Sequence, residues 1–169
     1  MAKVLERSLY RTDYYAWTKD QPAKLRALAA ARVNSTLDLE NLAEEVESLG
    51  RSDLNTVRSQ VRRIIEHLLK LEFSPSMPPR DDWRHSLAQA RDEVEDHITA
   101  SMAPEVVADL DRLFGHARRD AALGLRRHGG REAAQALPTT CPYSLDQIVS
   151  HGWYPESRHG IVDELDGEV

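Results

Sequence analysis

Four glutamates on one predicted helix, Glu40, Glu44, Glu45 and Glu47, come nearest to a chemical pattern. Inward-facing carboxylates partnered by histidines suit a di-metal helical bundle, where a Glu-x-x-His pair comes from each of two helices. That spacing is missing. On a helical wheel Glu40 and Glu44 point away from the seam through Leu39, Leu42, Val46 and Leu49, while Glu45 lies about 80° from it, on the shoulder. Asp82 and His85 keep the three-residue step, but His85 falls opposite the face of Trp83, Leu87 and Val94. The seven histidines form no His-x-x-x-His motif. His67 lies on a helix shoulder beside Leu68, and His97 flanks Val94 and Ile98, so the two approach if their helices pack side by side. Glu45, His67 and His97 are the metal candidates, and Glu45 with His67 is the candidate pair for a hydrolase. The competing reading, solvated or ion-paired acids and structural histidines at a core edge, is the stronger, and no cofactor is expected.

Cys141 is the single cysteine, set in the loop Pro138–Tyr143 between two prolines. A nucleophilic thiolate needs a nearby base or a helix N-terminus, and the short helix predicted over Ser144–Val149 begins just after it. No Cys-x-x-Cys and no resolving cysteine accompany it, so a small apolar plug is the reading preferred. The local positive bias is Arg118, Arg119, Arg126, Arg127, His128 and Arg131. Cations in a last helical turn complement the helix dipole without any ligand, and Asp120 and Glu132 dilute the field. Nucleic-acid binding is therefore not expected, least of all with a formal net charge of −6.

The elements that position these groups follow from periodicity. Thr12 and Asp13 predict the cap of a first helix through Tyr14, Tyr15, Trp17, Leu25 and Leu28, with a kink or fresh start at Pro22. Asp38 predicts the cap of a second. Its apolar residues step by three and four, first Leu39, Leu42, Val46 and Leu49, then Val57, Val61, Ile64, Leu68 and Leu71. The phase slips at Gly50, which leaves a break or a continuous helix equally open. Both halves of the stripe are expected to lie against other elements. Ser74–Arg80, with its three prolines, must be a connector. A third helix carries Trp83, Leu87, Ala90, Val94 and Ile98. A fourth starts at Pro104 and carries Val106, Leu110, Leu113, Phe114, Ala117, Ala121 and Leu125 before glycines stop it.

These readings converge on an all-α fold, an antiparallel bundle of about four main helices with a short C-terminal helix and clasp. Residues 1–156 are read as one domain and 157–169 as an acidic tail that frays, His159 included. Nothing approaches the apolar run of about 18 residues that a membrane span requires. The opening MAKVLERSLYRTD lacks a signal peptide's apolar core, and one cysteine suits a reducing compartment, so the cytoplasm is the expectation.

Three stretches together, Asp13–Trp17 (DYYAW), Leu37–Gly50 (LDLENLAEEVESLG) and Thr140–Leu145 (TCPYSL) followed by Trp153–Glu156, resemble a bacterial family known as domain-of-unknown-function family twenty-nine. The resemblance runs from about Tyr10 to Glu156. It implies a compact helical bundle and no particular activity. Pro22 and the acidic tail depart from the pattern.

Function is then read from surfaces. Trp153 and Tyr154 either clasp the C-terminal segment to the bundle, the favoured reading, or anchor a partner. The leading expectation is a non-catalytic interaction or regulatory module, self-associating through Asp38–Phe73 or binding another protein. An enzyme built on Glu45 and His67, or on Cys141, is the alternative, and weak nucleic-acid binding through Arg118, Arg119, Arg126 and Arg127 is the third.

Overall fold

Asp13 ends one helical turn and begins the next. Its backbone N–H bonds to Leu9 O, and its carboxylate accepts from Ala16 N at 2.9 Å as the cap of α1, Tyr14–Ala30. In the computed structural model, which describes residues 9–32, 34–128 and 130–162, the further helices are α2 (Leu39–Phe73), α3 (Arg80–His97), α4 (Ala103–Ala108), α5 (Leu110–Arg127), α6 (Arg131–Gln135) and α7 (Leu145–Val149). No strand occurs among the described residues, and the fold is all-α. No helix among them is long and apolar enough to cross a membrane.

Two places left open by the sequence resolve into continuous helix. Pro22 lies inside α1, where its ring removes the N–H that would have bonded to Thr18 O, yet the helix runs through it. Gly50 lies inside the 35-residue α2 without a break. The predicted fourth helix, by contrast, is divided at Asp109 into α4 and α5. Ile98 falls just beyond α3 and is only partly covered.

The chain divides into two units, Met1–Val57 with His97–Val106 and Arg58–Asp96 with Val107–Val169. In the first, α1 runs antiparallel to the opening half of α2: Thr18 lies against Gly50, and farther along α1 Arg26 pairs with Glu47 and Glu40. Small residues make this approach possible. Ala43 and Gly50 are buried, followed by Leu54 and Val57, so α1 rests on a face that hydrophobicity alone does not select. The third piece is the return segment. Ser101 donates both its N–H and its hydroxyl to Asp13, at 2.9 and 2.6 Å, and Tyr15 Oη donates to Glu105 at 2.9 Å.

In the second unit the latter half of α2 is the central element. Val61, Ile64, Ile65, Leu68 and Leu69 are wholly buried, the burial that drives folding at about 1.5–3 kcal/mol per large side chain. The proline connector reverses the chain into α3, which contributes Trp83, Leu87, Ala90 and Val94. Then α5 runs parallel to α2, with Arg58 paired to Asp109, Arg62 to Asp120 at 2.7 Å, and Lys70 packed at Gly124. Ser144 and Gln147 cap α7 reciprocally, a two-bond device that fixes the start of a very short helix.

Beyond α7 the chain returns to the end of α2. Arg158 N and Nε both donate to Glu72, each at 2.9 Å, and His159 Nε2 donates to Phe73 O at 3.1 Å. The stretch from Ser157 lacks large apolar groups, and its described contacts are polar. Residues 163–169 lie outside the described residues.

Candidate functional site

The first half of the predicted stripe on α2 is the largest departure from the sequence reading. Leu42 and Leu49 are 40% and 49% exposed, and Leu39 and Val46 are only partly covered. Taking Thr18 and Gly50 as the contact line, Leu42 and Leu49 lie about 80–100° to one side of α2, and Glu40 and Glu47 about 60–80° to the other. On α1, Leu28 and Trp17 lie about 80–100° to one side of that line and Arg26 about 80° to the other. The Arg26 guanidinium is bidentate on Glu47, at 2.5 and 3.0 Å, so the charged shoulders of the two helices coincide. Their apolar shoulders therefore coincide on the opposite side.

On this projection Leu28, 47% exposed, falls on the same shoulder as Leu42 and Leu49. At the far end Tyr10, Tyr14 and Trp17 make a cluster, with ring centroids 4.8 Å apart for Tyr10 and Trp17 and 5.5 Å apart for Tyr14 and Trp17. Burial and the charge of nearby Asp53 hold the Tyr14 phenol above its usual range, which keeps it a neutral hydrogen-bonding group. A face of leucines with aromatic anchors at one end can accept an apolar helix stripe. Its α2 rim is acidic, with Asp38 and Glu45 exposed, while on the α1 rim Lys24 is answered by Asp20 at 2.7 Å.

The sequence-derived candidates are dispersed. Glu45 is exposed in the first unit, and His67 is buried in the second. Burial, reinforced by Lys70 and Arg63, pulls the His67 imidazole down to about 3, so it is neutral, and its Nδ1 has no hydrogen-bond partner among the described residues. His97 ends α3 and belongs to the first unit. Among the described residues no three His, Cys, Asp or Glu side chains gather as a metal cage. Burial pushes the Cys141 thiol up, and its Sγ donates to Tyr143 O at 3.4 Å rather than meeting a base. Arg118 donates to Leu137 O at 3.3 Å, and Arg119 to Gly115 O at 3.3 Å. Arg126 and Arg127 are exposed in the last turn of α5.

Trp153 and Tyr154 work within the second unit. The Trp153 ring meets Tyr143 edge-on at 5.6 Å, and the Tyr154 ring lies 4.0 Å from the Arg84 guanidinium carbon. Arg91, 1% exposed, donates to the carbonyls of Gln147, Ile148, His151 and Trp153. It thereby caps the C-terminus of α7 and turns the chain beyond it. A cleft of about 420 Å³ opens beside this segment, lined by Leu71, Arg80, Arg84, Tyr154, Ser157 and Val162. Sequence reading passed over these arginines, since nothing in their spacing distinguishes a buried guanidinium from a solvated one. The only signal was their place on the α3 face that also carries Leu87 and Val94.

The sequence profile of a family described as Domain of unknown function DUF29 matches residues 9–154. Among solved structures the chain is similar to an alpha-helical protein of unknown function from Rhodospirillum rubrum, at 28% identity and a TM-score of 0.77, with 85% of this chain and 90% of that chain covered. No curated protein matches.

Proposed function

The chain belongs to the family described as Domain of unknown function DUF29, and since that description carries no activity we propose a function from geometry: a non-catalytic interaction module that docks a partner helix on the α1–α2 face. The observation that carries this reading is the placement of Leu42 and Leu49, seven residues apart and exposed, in one face with Leu28 and the Tyr10–Tyr14–Trp17 cluster. Leu39, Leu42, Val46 and Leu49 hold a and d positions of two heptads, the spacing that takes a helix as its complement. The burial that raises the Cys141 thiol, and the burial that keeps the His67 imidazole neutral, lend no support to the hydrolytic alternative.

The test is a double variant, Leu42→Asp with Leu49→Asp. Both side chains are already partly in water, so the variant should fold with its melting temperature within a few degrees of the parent. It should lose association with a leucine-faced helical peptide and any self-association seen by native mass spectrometry. Collapse of the fold would make these leucines core residues and overturn the reading. So would a strictly monomeric parent that binds no helical peptide.

A further inference from the structure

Resting on that docking face, we infer that its occupant is a cationic amphipathic helix from another protein rather than a second copy of this chain. The argument is one of charge around a fixed apolar seam. With Leu39 and Val46 at a and Leu42 and Leu49 at d, Ala43 and Gly50 occupy the e positions and are buried under α1. Asp38, Glu45 and Ser52 occupy the g positions and form the open flank. A helix seated on the seam meets that flank along its own side.

The acids on α2 differ in how they are answered. Glu40 and Glu47 are paired with Arg26. The Asp38 carboxylate accepts from Asn41. Glu44 also feels Arg26, on the far side of α2, whereas Glu45 is exposed on the open flank, and Asp53 adds its charge beside Tyr14 at the far end of the seam. A second copy docked antiparallel would bring Glu45 towards its own counterpart, a like-charge contact that disfavours pairing. A parallel copy would have to offer an e edge that is already covered by α1. A partner helix with Lys or Arg flanking its apolar stripe meets neither obstacle. The net charge of −6 also steers a cation towards the chain at long range. The open stretch from Leu39 to Asp53 matches a helix of about 15 residues, or about 21 Å.

The experiment uses the full chain and two synthetic peptides of three heptads, both with leucine at a and d, one with lysine and one with glutamate at e and g. Binding is read by fluorescence anisotropy of the labelled peptide, with native mass spectrometry on the same protein. The lysine peptide should bind at least tenfold tighter than the glutamate peptide, and the gap should narrow as salt rises. Leu42→Asp should weaken lysine-peptide binding at least tenfold although it adds negative charge. Glu45→Lys with Ser52→Lys, both on the open flank, should close or invert the preference. Equal binding of both peptides, lost in Leu42→Asp, would overturn the cationic partner while leaving the face standing. A native dimer that Leu42→Asp dissolves, and that neither peptide displaces, would do the same and assign the seam to a second copy. Lysine-peptide binding strengthened by Leu42→Asp would be surface electrostatics only and would overturn both readings.

Discussion

The hydroxyl of Thr18 stands where a side chain at position 50 would begin: a Cβ built on Gly50 would lie 2.1 Å from Thr18 Oγ1 and 2.9 Å from its Cβ. Thr18 is itself 1% exposed, and its hydroxyl donates to Tyr15 O at 2.7 Å, so it cannot swing aside into solvent. The glycine in α2 is there for the close approach of α1, not to end a helix.

Gly50→Ala should therefore destabilise the protein, although alanine is the better helix former by about 1 kcal/mol. Overpacking of this kind costs about 1–3 kcal/mol, and a thermal melt reads it as a fall of several degrees. Thr18→Ala in the same chain should restore part of the loss, because it removes the nearer of the two clashing atoms. A more stable Gly50→Ala protein would show that α1 is not held at this distance.

Arg91 offers a second test. Replacing it with methionine keeps much of the volume but leaves the carbonyls of Gln147, Ile148 and Trp153 without their donor. Stability should fall by about 2–4 kcal/mol, and limited proteolysis should begin to cut beyond Leu137. Arg91→Lys should rescue little of this, since one ammonium cannot reach four acceptors that a planar guanidinium spans.

His67 sets a pH dependence. Its folded value of about 3 lies below the unfolded value of 6.5, because burial and the neighbouring cations Lys70 and Arg63 disfavour the imidazolium. The unfolded state thus takes up the proton first. The contribution is fully present above pH 6.5 and is lost as pH falls towards 3, at up to about 1.4 kcal/mol per pH unit. Urea titrations of His67→Gln between about pH 6.5 and about pH 4 should show a flatter decline than the parent protein. Parallel slopes would contradict this.

Cys141 should alkylate slowly. Burial, and to a lesser degree the charge of Asp111, raise its thiol against an opposing backbone hydrogen bond at Tyr143, so the reactive thiolate is scarce at neutral pH. Iodoacetamide near neutral pH should modify the folded protein well below the rate for a free thiol, and denaturant should restore that rate. Fast labelling of the native chain would reopen the nucleophile.

Much of the architecture was readable in the chain itself. Local chemistry sets the ends and the faces of helices: Asp13 and Ser144 carry their own caps, the prolines after Ser74 cannot continue a helix, and Val61, Ile64 and Leu68 recur at helical spacing. An all-α chain with a buried apolar stripe along the second half of α2 follows from those terms, which act between neighbours in sequence.

What they could not decide was which face of the first half of α2 would be covered. Leu39, Leu42, Val46 and Leu49 are the more apolar stripe, yet α1 packs on Ala43 and Gly50. Transfer of apolar area favours the leucines, whereas close approach favours the small residues, and only the position of Thr18 on another helix resolves the competition. The same holds for Arg91, whose four acceptors lie 56 to 62 residues away. Sequence alone determined what each helix had to offer. The tertiary structure decided what each would meet, because burial and hydrogen bonding depend on neighbours that periodicity along one helix does not specify.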